Sequence, residues 1–249
     1  MATFPTTWSQ QRPLILGHRG ASHAAPQNTL AAFRKAAEMG ADGVELDVHL
    51  SADGVPVVIH DALVNATTNG SGAVADLSLA ELQRLDAGVR FDPSFAGERI
   101  PTLEEVLVAV GQRLIINIEL KAFSRRDAAL ERTVVVLLRR LGLLDRVWFS
   151  SFKPYALVQA RIEAPEIPCG LLYDGLGLGA QLLRPVTPHE ALHPHHGLLS
   201  RARIHRAHQR GLWVATWTVD DVARAQTLAE WGVDAIITNE PDRLLAALR

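Results

Sequence analysis

The sequence predicts an α/β fold in which eight parallel strands alternate with helices and close into a barrel, the TIM (β/α)8 architecture. Short apolar runs alternate with helix-length amphipathic stretches from one end of the chain to the other, which is the pattern of repeated βα units. The chain has 249 residues, close to the roughly 250 typical of such a barrel. No Ser-, Gly- or Pro-rich linker divides it, so we predict a single domain over residues 1–249.

The candidate strands are short and mostly apolar, as strands buried on both faces are. In chain order they are Leu14–Gly17, Gly43–His49, Arg113–Leu120, Arg146–Ser150, Cys169–Tyr173, Ala191–His193, Trp213–Thr218 and Ala235–Thr238. The predicted helices are Thr29–Met39, Thr102–Val110, Asp127–Leu141, Lys153–Ile162, Arg201–Gln209, Asp220–Trp231 and Pro241–Leu248. Capping signals support these boundaries, since Thr102 followed by Glu105 is a capping box and Gly40 closes the first helix.

Two segments interrupt the alternation. Residues 51–101 follow the second strand and are too long for a simple βα loop, so we predict a small insertion there. It begins with a hairpin around Asp53-Gly54 and continues through a polar stretch at residues 67–72. Residues 174–188 are rich in glycine and have no clear periodicity, although the fifth helix of the barrel is expected at this point.

The composition excludes several classes of protein. Hydrophobic residues make up 48% and charged residues 21%, which is ordinary for a globular domain and excludes a disordered chain. With 25 basic against 27 acidic residues, the chain has no basic excess for nucleic acid or an anionic membrane. The only cysteine, Cys169, cannot form an intramolecular disulfide. We find no signal-peptide core or membrane-length apolar run, and therefore expect a cytoplasmic protein with a small-molecule partner and no stable membrane association.

Residues suited to phosphate chemistry follow the first two predicted strands. The carboxyl ends of barrel strands form the active face of a TIM barrel, and His18 and Arg19 directly follow the first strand. Arginine binds phosphate in a bidentate manner, and histidine transfers protons near neutral pH. Glu45 and Asp47 are two residues apart on the second strand, so both carboxylates point the same way. Buried together they need a proton or a cation, and hard divalent cations take such oxygen ligands.

Further candidates lie on later strands. On the third barrel strand, Glu119 can supply another metal oxygen and Lys121 can neutralise phosphate charge, although a surface Glu–Lys pair remains an alternative. His60 ends the hairpin strand and supplies a second imidazole. Trp217 ends the seventh barrel strand, where it can contact the apolar part of a substrate or be purely structural. The cluster at residues 193–196 contains three histidines, but adjacent histidines rarely converge on one ion, so we predict no zinc site there.

The ordered set of motifs resembles the glycerophosphodiester phosphodiesterase family. The matching segments are His18-Arg19-Gly20, Asn28-Thr29, Glu45-Leu46-Asp47-Val48, His60-Asp61, Glu119-x-Lys121, Ser150-Ser151-Phe152, Trp217-Thr218-Val219 and Ile237-Thr238-Asn239-Glu240-Pro241. They cover most of the chain, and as an ordered set they are highly specific. One departure is Gln27, which stands where the family usually has Glu. A carboxylate near the site is therefore lost, while the three core carboxylates remain.

The resemblance implies a TIM barrel with a small insertion after the second strand, and one divalent cation, Mg²⁺ or Ca²⁺. The family's metal ligands fall on Glu45, Asp47 and Glu119. The implied reaction is hydrolysis of a glycerophosphodiester to sn-glycerol 3-phosphate and an alcohol.

The resemblance also places the family's acid–base pair on His18 and His60, and its phosphate-binding positions on Arg19 and Lys121. Which histidine is the acid stays open. Two other functions also stay open: a phospholipase-D-like or phosphoinositide-lipase-like phosphodiesterase of the same fold, and a barrel that binds phosphodiesters without catalysis.

Overall fold

The computed structural model describes residues 2–8, 12–122, 129–175 and 186–248. Over these residues one sheet contains β1 (Leu14–His18), β2 (Gly43–Leu50), β3 (Pro56–Val58), β4 (Ile115–Leu120), β5 (Val147–Ser151), β6 (Cys169–Tyr173), β7 (Ala191–Pro194), β8 (Trp213–Thr216) and β9 (Ala235–Thr238). All neighbouring strands are parallel except β2 and β3. Strand β1 pairs with both β9 and β2, so eight strands close into a barrel. The predicted TIM barrel is confirmed.

The helices of the described residues are α1 (Leu30–Glu38), α2 (Leu79–Leu82), α3 (Leu103–Val110), α4 (Ala129–Leu141), α5 (Pro154–Glu163), α6 (Arg201–His208), α7 (Val222–Glu230) and α8 (Pro241–Leu248). The predicted capping box is present, because Glu105 N–H donates to Thr102 Oγ1 at 3.1 Å and Thr102 N–H donates to Glu105 Oε2 at 2.8 Å. The first two residues of the predicted helix Asp127–Leu141, and residues 176–185 of the glycine-rich segment, lie outside the described residues. No helix described here is both long and apolar enough to cross a membrane.

The barrel core has an inner and an outer part. Between the sheet and the helices, fully buried side chains such as Phe33 of α1, Leu103 of α3 and Val134 of α4 pack against the strands. Inside the barrel, an aromatic cluster fills the amino-terminal end. There the ring of Phe4 stacks on Trp213 at 4.2 Å, and Trp8 packs against Trp148 at 5.5 Å. This filled end lies opposite the carboxyl ends of the strands, so among the described residues the open end of the barrel is the carboxyl-terminal mouth.

The insertion after β2 stands beside this mouth. Strand β3 pairs antiparallel with the end of β2, with Val58 opposite Val48. The rest of residues 51–101 forms α2 and short 3-10 turns. The segment has its own apolar cluster, made of Val57, Ile59, Val64, Val74, Leu82, Ala87 and Ile100. The insertion is thus packed on its own small core and forms one wall of the mouth.

Candidate active site

Three carboxylates meet at the carboxyl-terminal mouth of the barrel. Glu45 and Asp47 extend from the same face of β2, and the register of the sheet sets Asp47 opposite Glu119 of β4. One carboxylate oxygen from each of the three lies within 4.8 Å of the other two, and all three side chains are buried. The two-residue spacing on β2 and the parallel pairing with β4 therefore build the cluster that the sequence predicts.

Electrostatic repulsion within this cluster is large. Burial, together with the neighbouring charges of Asp47 and Glu119, raises the pKa of Glu45 well above its usual value. Burial and the charge of Asp47 also raise the pKa of Glu119 to about 7. Burial alone would raise the pKa of Asp47 too, but the charges of Lys121 and Arg19 outweigh it and hold that pKa below its usual value. Added positive charge would therefore stabilise the cluster.

The donor set fits a hard divalent cation. The three side chains offer only carboxylate oxygens, which Mg²⁺ and Ca²⁺ prefer. Asp47 Oδ1 is buried, with the Lys121 ammonium as its charged neighbour, and a carboxylate oxygen has a second lone pair that can bind a cation. Lys121 Nζ lies 3.0 Å from that atom and 2.6 Å from Glu119 Oε1, so a cationic group already occupies one side of the cluster. No second cluster of metal-ligating side chains occurs among the residues described, including those around His193.

Arg19 follows β1 in an unusual backbone conformation that aims it at the carboxylates. Its φ is +57°, and Asn28, whose φ is +59°, donates its N–H to the Arg19 carbonyl at 2.9 Å. Left-handed backbone at non-glycine residues is uncommon and tends to occur at functional sites. The Arg19 N–H donates to Glu45 Oε2 at 3.1 Å, and its guanidinium donates to Gln27 Oε1 at 2.6 Å. Arg19 Nε also lies 3.3 Å from Asp47 Oδ2.

Gly20 lets the chain turn from Arg19 toward α1. Its φ is +85°, and a Cβ at this position would lie 2.6 Å from the carbonyl carbon of Ala32. Only glycine avoids both the backbone strain and this clash. In the His18-Arg19-Gly20 sequence, His18 ends β1, Arg19 supplies the cationic side chain, and Gly20 makes the turn that brings α1 close to the strand.

His18 is held by a chain of polar side chains. Its Nδ1–H donates to Asn239 Oδ1 at 2.8 Å, and Asn239 Nδ2 donates to Asp220 Oδ2 at 2.6 Å. This network assigns the proton to Nδ1 and leaves Nε2 as an acceptor. Burial, reinforced by the charge of Arg19, lowers the pKa of His18 to about 4. At neutral pH the imidazole is therefore uncharged and can accept a proton.

His60 lies two residues beyond β3 and lines the barrel mouth together with His18. Its Nδ1 lies 2.7 Å from Asp61 Oδ1, so the carboxylate orients the ring. Burial lowers the pKa of His60 even though Asp47 opposes the shift. Both predicted histidines thus reach the same site, each with one ring nitrogen fixed by a neighbour.

Two adjoining cavities open at the mouth. A small one of about 50 Å³ lies over the carboxylates, and its lining includes His18, His60, Phe152 and Trp217. Trp217 Nε1 donates to the His193 carbonyl at 2.9 Å, and its ring lies 5.5 Å from that of Phe152. The tryptophan is therefore fixed by the barrel and also lines the site, and its contact with the substrate stays a prediction. A larger cavity of about 450 Å³ shares His18 with the first.

Sequence reasoning assigned no role to three polar residues that position the site, although two of them, Asn28 and Asn239, lie in the matching motifs. Asn28 Nδ2 donates to Asp47 Oδ2 at 2.9 Å, and Asn239 and Asp220 hold His18. Asn239 directly follows a barrel strand, which is the available signal for a site residue. Asp220 carries no such signal, because its role depends on tertiary contacts alone.

A TIM barrel that brings three carboxylates, two imidazoles, an arginine and a lysine to its carboxyl-terminal mouth is typical of enzymes that act on phosphate esters. Residues 18–243 match the family model of the glycerophosphoryl diester phosphodiesterase family. The chain is 39% identical over 240 residues to a glycerophosphodiester phosphodiesterase of Caldanaerobacter subterraneus subsp. tengcongensis, with 96% of this chain and 98% of that protein covered. The chain therefore belongs to the glycerophosphoryl diester phosphodiesterase family, as its motifs predict.

Solved structures give the same result. The chain is similar to an Oleispira antarctica phosphodiesterase in complex with the product sn-glycerol-3-phosphate, with a TM-score of 0.89 and 33% identity over 95% of this chain and 96% of that chain. It is also similar to a glycerophosphodiester phosphodiesterase from Agrobacterium tumefaciens, with a TM-score of 0.81 and 32% identity over 94% and 99% of the two chains.

Proposed function

We propose that the protein hydrolyses glycerophosphodiesters to sn-glycerol 3-phosphate and an alcohol. Family membership supports the reaction class. The similarity to a phosphodiesterase in complex with sn-glycerol-3-phosphate supports the glycerol side of the substrate. In the reaction a new P–O bond forms to the attacking oxygen, the P–O bond to the alcohol breaks, and one proton moves from the nucleophile to the leaving group.

The phosphodiester is held by cationic side chains. Arg19 and Lys121 both lie against the carboxylate cluster, where an arginine and a lysine can bind the phosphoryl oxygens. The apolar faces of Trp217 and Phe152 line the same small cavity and can pack against the carbon chain of the glycerol unit. These contacts position the phosphorus between the two histidines.

Proton transfer falls to His18 and His60. One ring accepts the proton of the nucleophile, and the other, in its protonated form, donates to the departing alkoxide. The lowered pKa of His18, about 4, supports the presence of a neutral ring that can act as acceptor. Asn239 and Asp61 keep the two rings in place, so little ordering is required when the substrate binds.

Glu45, Asp47 and Glu119 would hold one divalent cation, Mg²⁺ or Ca²⁺. When bound, such an ion supplies Lewis-acid stabilisation of negative charge on the phosphoryl oxygens. The observation that carries the proposal is this cluster of buried carboxylate oxygens within 4.8 Å of one another. Burying three carboxylates in an apolar barrel is costly, and only the two cations Arg19 and Lys121 lie against them among the residues described.

The direct test is an assay of purified protein with glycerophosphocholine, glycerophosphoethanolamine and glycerophosphoglycerol, each with and without EDTA. We expect release of sn-glycerol 3-phosphate that EDTA abolishes and Mg²⁺ or Ca²⁺ restores. The variants Glu45→Gln and Asp47→Asn should abolish turnover while remaining folded. Glu104→Gln, an exposed carboxylate on α3, is the matched control and should keep full activity. Wild-type turnover in either cluster variant would exclude the metal site.

A second experiment tests the acid–base pair. His18→Ala and His60→Ala should each lower kcat by ~10²-fold or more, with a smaller effect on substrate binding because Arg19 and Lys121 remain. A diester with a p-nitrophenol leaving group departs without protonation, so it should rescue the variant that lacks the acid and not the other. Equal loss in both variants on both substrates would refute divided roles for the histidines.

A further inference from the structure

The larger cavity at the mouth, about 450 Å³, has walls from two parts of the chain. One wall is the segment after β1, including Ser22 and Gln27. The other wall comes from the inserted segment and includes Thr67, Arg90 and Phe91. The insertion therefore does more than extend the barrel, because it encloses space directly beside the reacting groups.

The two cavities meet at His18 and Arg19, which line both of them. A phosphodiester bound at Arg19 would therefore lie at the junction of the two cavities, where its two ester substituents can extend into different cavities. The small cavity over the carboxylates has room for a short carbon chain only, whereas the larger cavity is about nine times its volume. The variable alcohol of a phosphodiester therefore belongs in the larger one.

The charged side chains that line the larger cavity are all basic. Its described lining contains Arg19 and Arg90 but no Asp or Glu. At the rim, Glu240 lies 3.6 Å from the lining residue His23, and Arg243 neutralises this carboxylate at 2.8 Å. A cationic headgroup would thus meet like charge without a carboxylate partner, while a neutral or anionic headgroup would not.

The remaining lining groups suit hydroxyls. Gln27 Oε1 accepts the Arg19 hydrogen bond, and its Nε2 has no partner among the residues described, so it can donate to a ligand oxygen. Ser22 Oγ donates to Asn239 Oδ1 at 2.8 Å and keeps its lone pairs as acceptors. The ring of Phe91 is 44% exposed and offers an apolar face. Recognition of quaternary ammonium ions uses cages of several rings, whereas this cavity offers one ring beside an arginine.

We propose that the inserted segment forms the headgroup site and that Arg90 makes the enzyme select polyol headgroups, such as glycerol and inositol, over the cationic headgroups choline and ethanolamine. This inference rests on the proposed phosphodiesterase activity and specifies its substrate class. Arg90 is exposed and lies outside the carboxylate and histidine cluster, so it acts on the choice of substrate and not on the chemical step.

The test compares kcat/KM for glycerophosphoglycerol and glycerophosphoinositol with kcat/KM for glycerophosphocholine and glycerophosphoethanolamine. We expect a preference of about tenfold or more for the polyol diesters, corresponding to roughly 1.4 kcal/mol. Arg90→Glu reverses one charge in the cavity and should reduce this ratio at least about fivefold, mainly by improving hydrolysis of the cationic substrates. The shift should shrink as ionic strength rises.

Two variants control the charge argument. Arg90→Lys keeps the charge and should keep the polyol preference. Arg99→Glu makes the same charge change on the same inserted segment, at an exposed residue that does not line the cavity, and should leave the ratio unchanged. Thermal melts establish that all three variants are folded.

The outcomes separate the two proposals. If wild-type protein hydrolyses no glycerophosphodiester, the proposed function fails and this inference fails with it. If it hydrolyses them with equal efficiency or prefers choline, the headgroup inference alone is refuted. An unchanged ratio in a folded Arg90→Glu variant would refute the role of Arg90.

Discussion

His193 makes the stability of this barrel sensitive to acid. The side chain lies on β7, completely buried inside the barrel, where its Nε2 accepts a hydrogen bond from Trp148 Nε1 at 3.2 Å. The ring packs so closely on β6 that a Cβ at Gly170 would lie 2.4 Å from Nε2. Nδ1 has no partner within the described parts of the chain. Burial lowers the pKa of His193 to about 3, so the folded protein keeps this ring neutral.

The size of the effect follows from linkage between protonation and folding. In the unfolded chain the ring titrates near its ordinary pKa of 6.5, whereas in the folded protein it titrates near 3. Between these values the unfolded state binds the additional proton, so the free energy of unfolding rises with pH. The contribution of His193 is complete above about pH 6.5 and is lost as pH falls toward 3. Because each pKa unit corresponds to ~1.4 kcal/mol, the difference between 6.5 and about 3 makes the loss in free energy of unfolding of order 5 kcal/mol. This loss is comparable to the whole stability of many domains.

Urea unfolding at several pH values between 7.5 and 4 measures this contribution. The His193→Gln variant keeps an acceptor for Trp148 but cannot titrate, so its free energy of unfolding should fall less steeply with acid than that of the wild type. The difference between the slopes should approach ~1.4 kcal/mol per pH unit. The control His205→Gln, on the exposed face of α6, should keep the wild-type slope. Equal slopes in wild type and His193→Gln would refute the reasoning, whatever the absolute stability of the variant.

Three further changes test other parts of the structure. Measured by urea unfolding in EDTA, Glu45→Gln should leave the free energy of unfolding unchanged or raise it, because it removes repulsion from Asp47 and Glu119; marked destabilisation would contradict the electrostatic description. Asn239→Ala should lower kcat about tenfold or more with little change in Tm, since it releases His18 from its orientation; unchanged kcat would show that the contact does not position the ring. Thr102→Ala removes the cap of α3 and should lower the free energy of unfolding by about 1 kcal/mol in urea unfolding, without changing KM. An unchanged free energy of unfolding would contradict the capping geometry.

Local patterns in the sequence predict most of the barrel and the carboxylate cluster. On β2, apolar residues alternate with Glu45 and Asp47, and this one pattern indicates both a buried strand and two carboxylates on a common face. The ends of the strands are less predictable. Arg113 was predicted to begin a strand, but its N–H donates to the Val110 carbonyl and continues the turn after α3, so β4 begins at Ile115. Trp217 was predicted within a strand, yet β8 ends at Thr216, and Trp217 forms only an isolated bridge with His195.

Contacts between distant segments could not be predicted in this way. The hydrogen bond between His18 and Asn239 joins residues 221 positions apart, and no local pattern links them. The position of Arg90 in the cavity wall likewise depends on how the short 3-10 turns of the insertion pack together. Such turns have no sequence periodicity, so their packing could not be inferred from the sequence. In both cases the strand ends identify the site, and the tertiary structure supplies the residues that orient or enclose it.

The separate apolar cluster under the inserted segment has an evolutionary consequence. Because Val57, Val64, Leu82 and Ile100 pack beneath the segment, its exposed cavity-lining residues Arg90 and Phe91 contribute little to the packing of the barrel. Substitutions at these exposed positions can therefore accumulate and reshape the cavity wall while the carboxylates and histidines at the barrel mouth stay in place.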